Sequence, residues 1–375
     1  VNIIYCIKGT YNSGGMERVV ANKANYLVAK GHNVSIITTD QQGRLPYFPL
    51  NDNIRLYDLD INYTANASRG LFVKTRQYFQ KQRLHRRRLR ELLKKLKADI
   101  VISMFDHDTP FLYKIKDGSK KILEIHFSRY KRRQYGRKGL WRLADVWRSR
   151  QDLQLASQYD RFVVLTEEDC GYWGYLSNIV LIPNANSFVP ETKADVTCKR
   201  VIAVGRYDYQ KGFDELIGIW EMVHERCPEW RLDIFGHGPL KDQLQAQIQK
   251  LKLESSIRLR PPVRNIEKEY CQSGLLVMTS RYEGFPMTLL EAQACGLPMV
   301  TYACKCGPRD IIVDGQNGFI VAEGNKEYMV NQIVRLIEDE DMRRAMGTRA
   351  KEMSAKFSEE KVMKQWLDLF NQLVG

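Results

Sequence analysis

The feature that most constrains this chain is an alternation, met twice, of short apolar runs, glycine turns and amphipathic stretches. Residues 1–7 are an apolar run, followed by the turn Ser13-Gly14-Gly15. Residues 16–30 carry a helical pattern that Gly31 closes as a C-terminal cap, and residues 32–38 form the next strand. Strand, glycine turn, helix and strand make a βαβ unit and predict a parallel sheet. Further strands are expected at 100–103, 121–125, 161–165 and 179–182. Residues 184–199 are polar, contain Pro190 and read as an interdomain linker. The alternation then restarts, with strands expected at 201–204, 231–235, 257–259, 275–278, 298–301 and 318–321. Helices are expected between them at 212–225, 239–251, 265–272, 287–294 and 325–337, and two more at 339–355 and 359–373.

A length of 375 residues suits two domains of about 150 residues each. The expected fold is α/β: two doubly wound, Rossmann-like domains with a cleft between them, residues 1–185 and 186–357, with ligands at the carboxyl ends of the strands. With 44% hydrophobic and 27% charged residues, the composition excludes a disordered or collagen-like chain. The eight cysteines are scattered, and the close pair Cys304-Lys305-Cys306 is a poor zinc half-site. They read as reduced thiols, with no metal site. No charged-then-apolar leader precedes the first strand and no apolar run is long enough to span a bilayer, so the expectation is a cytoplasmic protein.

Four features of the second half carry chemistry. Gly205-Arg206 and Lys211-Gly212 place two cations between a strand end and a helix start, which suits a diphosphate. Gly236-His237-Gly238-Pro239 follows the next strand; its glycines let backbone approach a ligand, and Pro239 fits a first helical position. In Glu283-Gly284-Phe285-Pro286-Met287-Thr288, running on to Glu291, Pro286 marks a helix start whose amides face the strand end. Glu291 lies roughly 7–8 Å along the axis from Pro286. Two carboxylates so spaced can each grip hydroxyls on one elongated ligand, leaving the amides between them for phosphate. The layout is that of a sugar nucleotide. Gly307-Pro308-Arg309-Asp310 and Asp314-Gly315-Gln316-Asn317-Gly318 read as structural punctuation.

Together with Gly14-Gly15-Met16-Glu17-Arg18, these segments resemble glycosyltransferase family 4 over nearly the whole chain. The paired-glutamate segment, with Ala292 after Glu291, is the most specific part. The resemblance implies the GT-B fold and a retaining, metal-independent hexosyltransferase with no cofactor beyond a nucleotide-sugar co-substrate, a UDP-sugar. It implies an acceptor-binding first domain, a donor-binding second domain, and a last helix, about 358–375, packing back on the first. The catalytic residues it implies are Arg206, Lys211, Glu283 and His126. Arg206 and Lys211 bind the donor diphosphate, Glu283 contacts the transferred sugar and Glu291 holds the ribose hydroxyls. The implied donor site includes Gly14, Gly15, Gly205, Gly236, Gly238, Gly284 and the backbone of Phe285, Pro286, Met287 and Thr288. The Gly14-Gly15 loop closes over the diphosphate. His126, after the strand at 121–125, orients a sugar hydroxyl or polarises the reacting centre, and Asp106 holds acceptor hydroxyls. Two positions depart from the family pattern: Asn184-Ala185-Asn186 in place of Asn-Gly-Val, and His237 where an acidic or small residue is common.

The net charge of +14 is unevenly spread. Residues 1–200 hold 35 basic and 19 acidic residues, whereas 201–375 hold 23 and 25. Residues 69–97 contain twelve Lys and Arg against Glu91, with Leu84, Leu89, Leu92, Leu93 and Leu96 at helical spacing. Residues 114–150 add thirteen against three acids, with Trp141 and Trp147. A basic amphipathic helix with aromatic neighbours fits an anionic bilayer surface. No nucleic-acid motif accompanies the charge. The expected protein is a peripheral enzyme on the inner face of the cell membrane, acting on a saccharide or lipid-linked saccharide in bacterial surface polysaccharide or lipopolysaccharide synthesis. The rivals are a sugar-nucleotide epimerase on the same fold and a non-catalytic protein binding anionic membrane or nucleic acid.

Overall fold

The computed structural model describes residues 1–66, 71–129 and 139–375. It divides into two compact units. The first comprises Val1–Leu165, Asp169–Ile182 and Val362–Gly375; the second comprises Thr166–Glu168 and Pro183–Lys361.

The first unit holds a seven-stranded parallel sheet of β1 (Asn2–Ile7), β2 (Asn33–Thr38), β3 (Arg55–Asp58), β4 (Ile100–Ser103), β5 (Lys120–Glu124), β6 (Arg161–Val164) and β7 (Ile179–Leu181). Its order is β3-β2-β1-β4-β5-β6-β7, so the winding reverses between β1 and β4. β1, the central strand, is almost wholly buried, as a strand covered by helices on both faces must be. β3 escaped the sequence reading because it is an edge strand with three of its four residues exposed, and so shows no apolar run. The last helix, Glu359–Val374, packs in this unit and buries Val362, Met363, Trp366, Leu369 and Phe370.

The second unit holds β8 (Arg200–Val204), β9 (Arg231–Phe235), β10 (Ile257–Arg260), β11 (Leu275–Met278), β12 (Met299–Tyr302) and β13 (Gly318–Val321). The order β10-β9-β8-β11-β12-β13 again reverses, between β8 and β11. Trp220, Ile234, Val277, Val300 and Ile333 are fully or almost fully buried in its core.

Two local expectations are corrected. Residues 184–199 are part of the second unit rather than a linker: Asn184 and Val196 are buried, and the amides of Ala194 and Asp195 donate to the carbonyls of Cys295 and Cys271. Side-chain and backbone pairing replaces the apolar period that a sequence reading looks for. Pro239 precedes its helix, which begins at Lys241, because residues 239–240 turn first and Leu240 caps it.

Candidate functional site

Three loops meet at the carboxyl edge of the second sheet, beside its reversal point, the usual ligand position in such sheets. The loop after β8 is tied to the loop after β9 by the Tyr207 amide, which donates to the His237 carbonyl at 2.8 Å. It is tied to the loop after β11 by several bonds, three of which set the approach of the two backbones. Thr279 Oγ1 donates to the Gly212 carbonyl (3.1 Å), Gln210 Nε2 to the Tyr282 carbonyl (3.0 Å), and the Arg281 amide to the Gln210 carbonyl (2.8 Å).

Two glycines make this convergence sterically allowed. A Cβ on Gly236 would stand 1.9 Å from the Gly205 carbonyl oxygen. Gly212 has φ +64°, and a Cβ there would stand 2.3 Å from the Thr279 carbonyl oxygen. Neither loop can take a side chain at these points without separating from its neighbour.

Lys211 and Glu283 are brought together. Lys211 Nζ lies 2.6 Å from Glu283 Oε1, and the carboxylate is 5% exposed. The two groups expected to serve diphosphate and sugar therefore neutralise each other in the free chain. Arg206 is not drawn into this pair. Its side chain is 67% exposed and grips Asp208 through Nε (2.9 Å) and Nη2 (2.6 Å). Behind Glu283, Pro286 caps the helix Met287–Cys295 in an extended conformation, so the first-turn amides open the helix at this edge. Gly284, Phe285 and Pro286 are buried, and the Phe285 ring packs edge-on against Phe357 at 5.7 Å, which leaves its backbone as the part available to a ligand.

Glu291 is 5% exposed, one turn into that helix. Its Oε1 accepts from Ser187 Oγ (2.8 Å) and its Oε2 from Tyr270 Oη (2.9 Å). Neither partner stood out in the sequence, where a Tyr inside a short helix reads as core. Arg281 belongs to the segment Ser280–Glu291 that the sequence singles out, but the pattern assigns it no role there. It holds Asp214 by two bonds (3.0 and 2.7 Å) and donates to the Tyr209 carbonyl (2.6 Å), bracing the loop that carries Lys211. His237 is exposed. Asp314 and Asn317 serve the turn: Asp314 accepts from the Ile320 amide, and Asn317 accepts from the Val313 amide, both at 2.8 Å.

In the first unit, Gly14 is the extended cap of the helix Gly15–Ala29, at the carboxyl end of β1. His126 follows β5, where its Nε2 meets Glu124 Oε1 at 2.8 Å. Asp106 follows β4; its Oδ1 accepts from the His107 amide at 2.8 Å, and the His107 ring stacks on Tyr63 at 3.9 Å. Asp106, His85, His107 and Asp108 line one narrow cavity with Cys6, Ile37 and Thr39.

Asp108 is 2% exposed, and its Oδ2 has no hydrogen-bond partner among the described residues. Burial, reinforced by the charge of Asp106, pushes its carboxyl up to about 7. A carboxyl raised in the folded state favours folding most below its unfolded pKa, near 4, and that contribution is lost as pH rises towards 7. Asp108→Asn is therefore expected to gain stability over the wild type between pH 4 and pH 8, by up to about 4 kcal/mol. Urea unfolding at the two pH values measures it, and an equal difference at both would reject it. His85 works in the other direction. Burial, with His107 adding, lowers it to about 3, so its contribution is lost as pH falls from about 6.5.

Two family models match in succession: Glycosyltransferase Family 4 over residues 13–185 and Glycosyl transferases group 1 over residues 186–353. The chain belongs to glycosyltransferase family 4. Among curated relatives, this family 4 chain is 37% identical over 222 residues to the amylovoran biosynthesis glycosyltransferase AmsD of Erwinia amylovora, covering 56% of this chain and 62% of that one. It is 24% identical to a Campylobacter jejuni alpha-1,4-N-acetyl-D-galactosaminyltransferase named for a diNAcBac-PP-undecaprenol-linked substrate, with 98% of both chains covered. Its fold matches that of an S. aureus TarM variant, crystallised with fondaparinux, alpha-GlcNAc-glycerol and UDP, at a TM-score of 0.81 and 17% identity over 99% of both chains. The architecture is GT-B.

Proposed function

We propose that this glycosyltransferase moves a hexose or N-acetylhexosamine from a UDP-sugar, with retention, to a lipid-linked saccharide of a bacterial surface polysaccharide. The Lys211–Glu283 pair beside the open first turn at Met287 supports this most directly, because it sets a cation, a carboxylate and helix amides around one point. In this reading Lys211 and Arg206 take the diphosphate, Glu283 turns to the sugar hydroxyls, and Glu291 takes the ribose hydroxyls. The leaving phosphate assists deprotonation of the acceptor on the same face, so neither a protein nucleophile nor a metal is required. His126 and Asp106 serve the transferred sugar and the acceptor. The UDP in the TarM crystal and the polyprenol-linked substrate in the Campylobacter name agree with the reading. Calorimetry against UDP-, GDP-, ADP- and dTDP-sugars without added metal tests it. Binding of UDP-sugars alone, lost in Arg206→Ala, is expected, and binding of none would overturn the donor assignment. Donor epimerised without any acceptor would favour the epimerase.

The acceptor reading carries a membrane reading with it. The helix Leu71–Leu96 buries Leu89 and Leu93 and leaves Arg83, Arg86, Arg87, Arg90, Lys94 and Lys95 exposed. Phe79 and Tyr78 are also exposed, as are Leu143 and Trp147 among Arg142, Arg148 and Arg150 on the helix Leu140–Ala156. Of the two basic segments, residues 69–70 and 130–138 lie outside the described residues. Among the described residues no helix is long and apolar enough to cross a membrane. Each cation near an anionic leaflet contributes about 1 kcal/mol. Vesicles containing phosphatidylglycerol should therefore bind the protein at low salt and release it at high salt, whereas equal binding to neutral vesicles at both would reject the peripheral location.

A further inference from the structure

The first unit encloses a charged group that the proposed chemistry does not use. Glu124, the last residue of β5, is fully buried, and its Oε1 receives both Lys23 Nζ and His126 Nε2. Lys23 comes from the third turn of the helix Gly15–Ala29, is 5% exposed, and stands 3.9 Å from the ring centroid of the fully buried Trp366. Lys23 and His126 thus converge on one carboxylate, and Trp366, from a third stretch of sequence, packs against the lysine. Burial by itself would raise the acid, but the charges of Lys23 and His126 and their hydrogen bonds override it and bring it down to about 2.

We propose that Glu124, held by Lys23, is the positioning residue of His126: it fixes the ring with Nε2–H pointing into the unit and leaves Nδ1 as the nitrogen offered to substrate. The inference rests on the role given to His126 above. A carboxylate can only accept, so a bond between it and Nε2 requires the proton on that nitrogen. In its neutral form the ring carries its lone pair on Nδ1 and meets a sugar hydroxyl as an acceptor. Lys23 keeps Glu124 from protonating in a site where an isolated carboxylate would be costly.

Removing one member of a buried pair strands the other, so single variants are liable to unfold. The double variant Lys23→Met/Glu124→Leu removes both charges and retains the bulk. Long-range ¹H–¹⁵N spectra of the imidazoles, with His126→Gln supplying the assignment, are expected to show His126 protonated at Nε2 in the wild type and as mixed tautomers in the double variant. In transfer assays the double variant should lose about 10–100-fold in kcat at unchanged donor KM, the size expected when a group that orients a working histidine is removed. His126→Gln added to it should cost nothing further, because the residues act as one unit. A folded double variant with an unaltered His126 spectrum would overturn the proposal, as would one with wild-type kcat. The spectra read out even if the chain transfers no sugar, so failure of the activity reading and failure of this one remain separate.

Discussion

Lys211→Ala should lower kcat/KM for transfer by about 10³-fold, the scale seen when one preorganised charge at a developing anion is removed. The same substitution should weaken UDP binding. Glu283→Gln should also abolish transfer to a comparable degree, yet it should bind UDP as tightly as the wild type or more so. The asymmetry follows from the 2.6 Å contact between the two groups. In the free chain the ammonium is already spent on a buried carboxylate; neutralising that carboxylate frees it for the diphosphate, while deleting the ammonium leaves Glu283 uncompensated. Lys211→Ala should therefore also lose thermal stability, and Glu283→Gln should lose little. Calorimetric titration of both variants with UDP, beside melting curves, decides the matter. Equal weakening of UDP in both would mean that the pair is structural and the diphosphate is held elsewhere.

Trp366→Ala should cost about 3–5 kcal/mol of stability, the range for deleting a large buried aromatic side chain. The indole is fully buried in the first unit, packs at a tilt against Phe370 with ring centroids 5.7 Å apart, and lies under Lys23. The loss should appear in urea unfolding as a lower midpoint. If the first unit unfolds separately, fluorescence from Trp173, buried in that unit, should follow it while Trp220, in the second, does not. A change within about 0.5 kcal/mol, the usual range for a surface substitution, would contradict the packing described here.

Much of this fold was legible because buried parallel strands are written as apolar runs and their turns as glycines. β8, β9 and β11 were readable within a residue, and so was the glycine chemistry of the loops that follow them. β3 was not, because an edge strand owes its place to backbone pairing with β2 rather than to apolar side chains. The candidate site was legible where one loop holds several of its residues, as in Glu283 to Glu291. What joins distant segments was not. Lys23 sits in a helix where lysine ordinarily faces water, and Glu124 lies in a stretch read as a strand, where nothing marks its carboxylate as buried. Their burial depends on each other, and no local pattern records a partner 101 residues away. Arg206 shows the converse: the motif singled it out, yet its charge is taken up locally by Asp208.

The return of Glu359–Val374 to the first unit also fixes an order of events during synthesis. Ribosomes add about 5–20 residues per second, so β1 waits roughly 20–70 s for Trp366 to be made. Throughout that interval the nascent first unit lacks the side chains that cover Lys23, and its apolar seat for Val362, Met363 and Phe370 stays open to water. The second unit, drawn almost wholly from one continuous stretch, needs nothing that comes later. The unit translated first is thus the last to close, and a chain stalled before residue 362 would present a finished second unit tethered to an unfinished, adhesive first one.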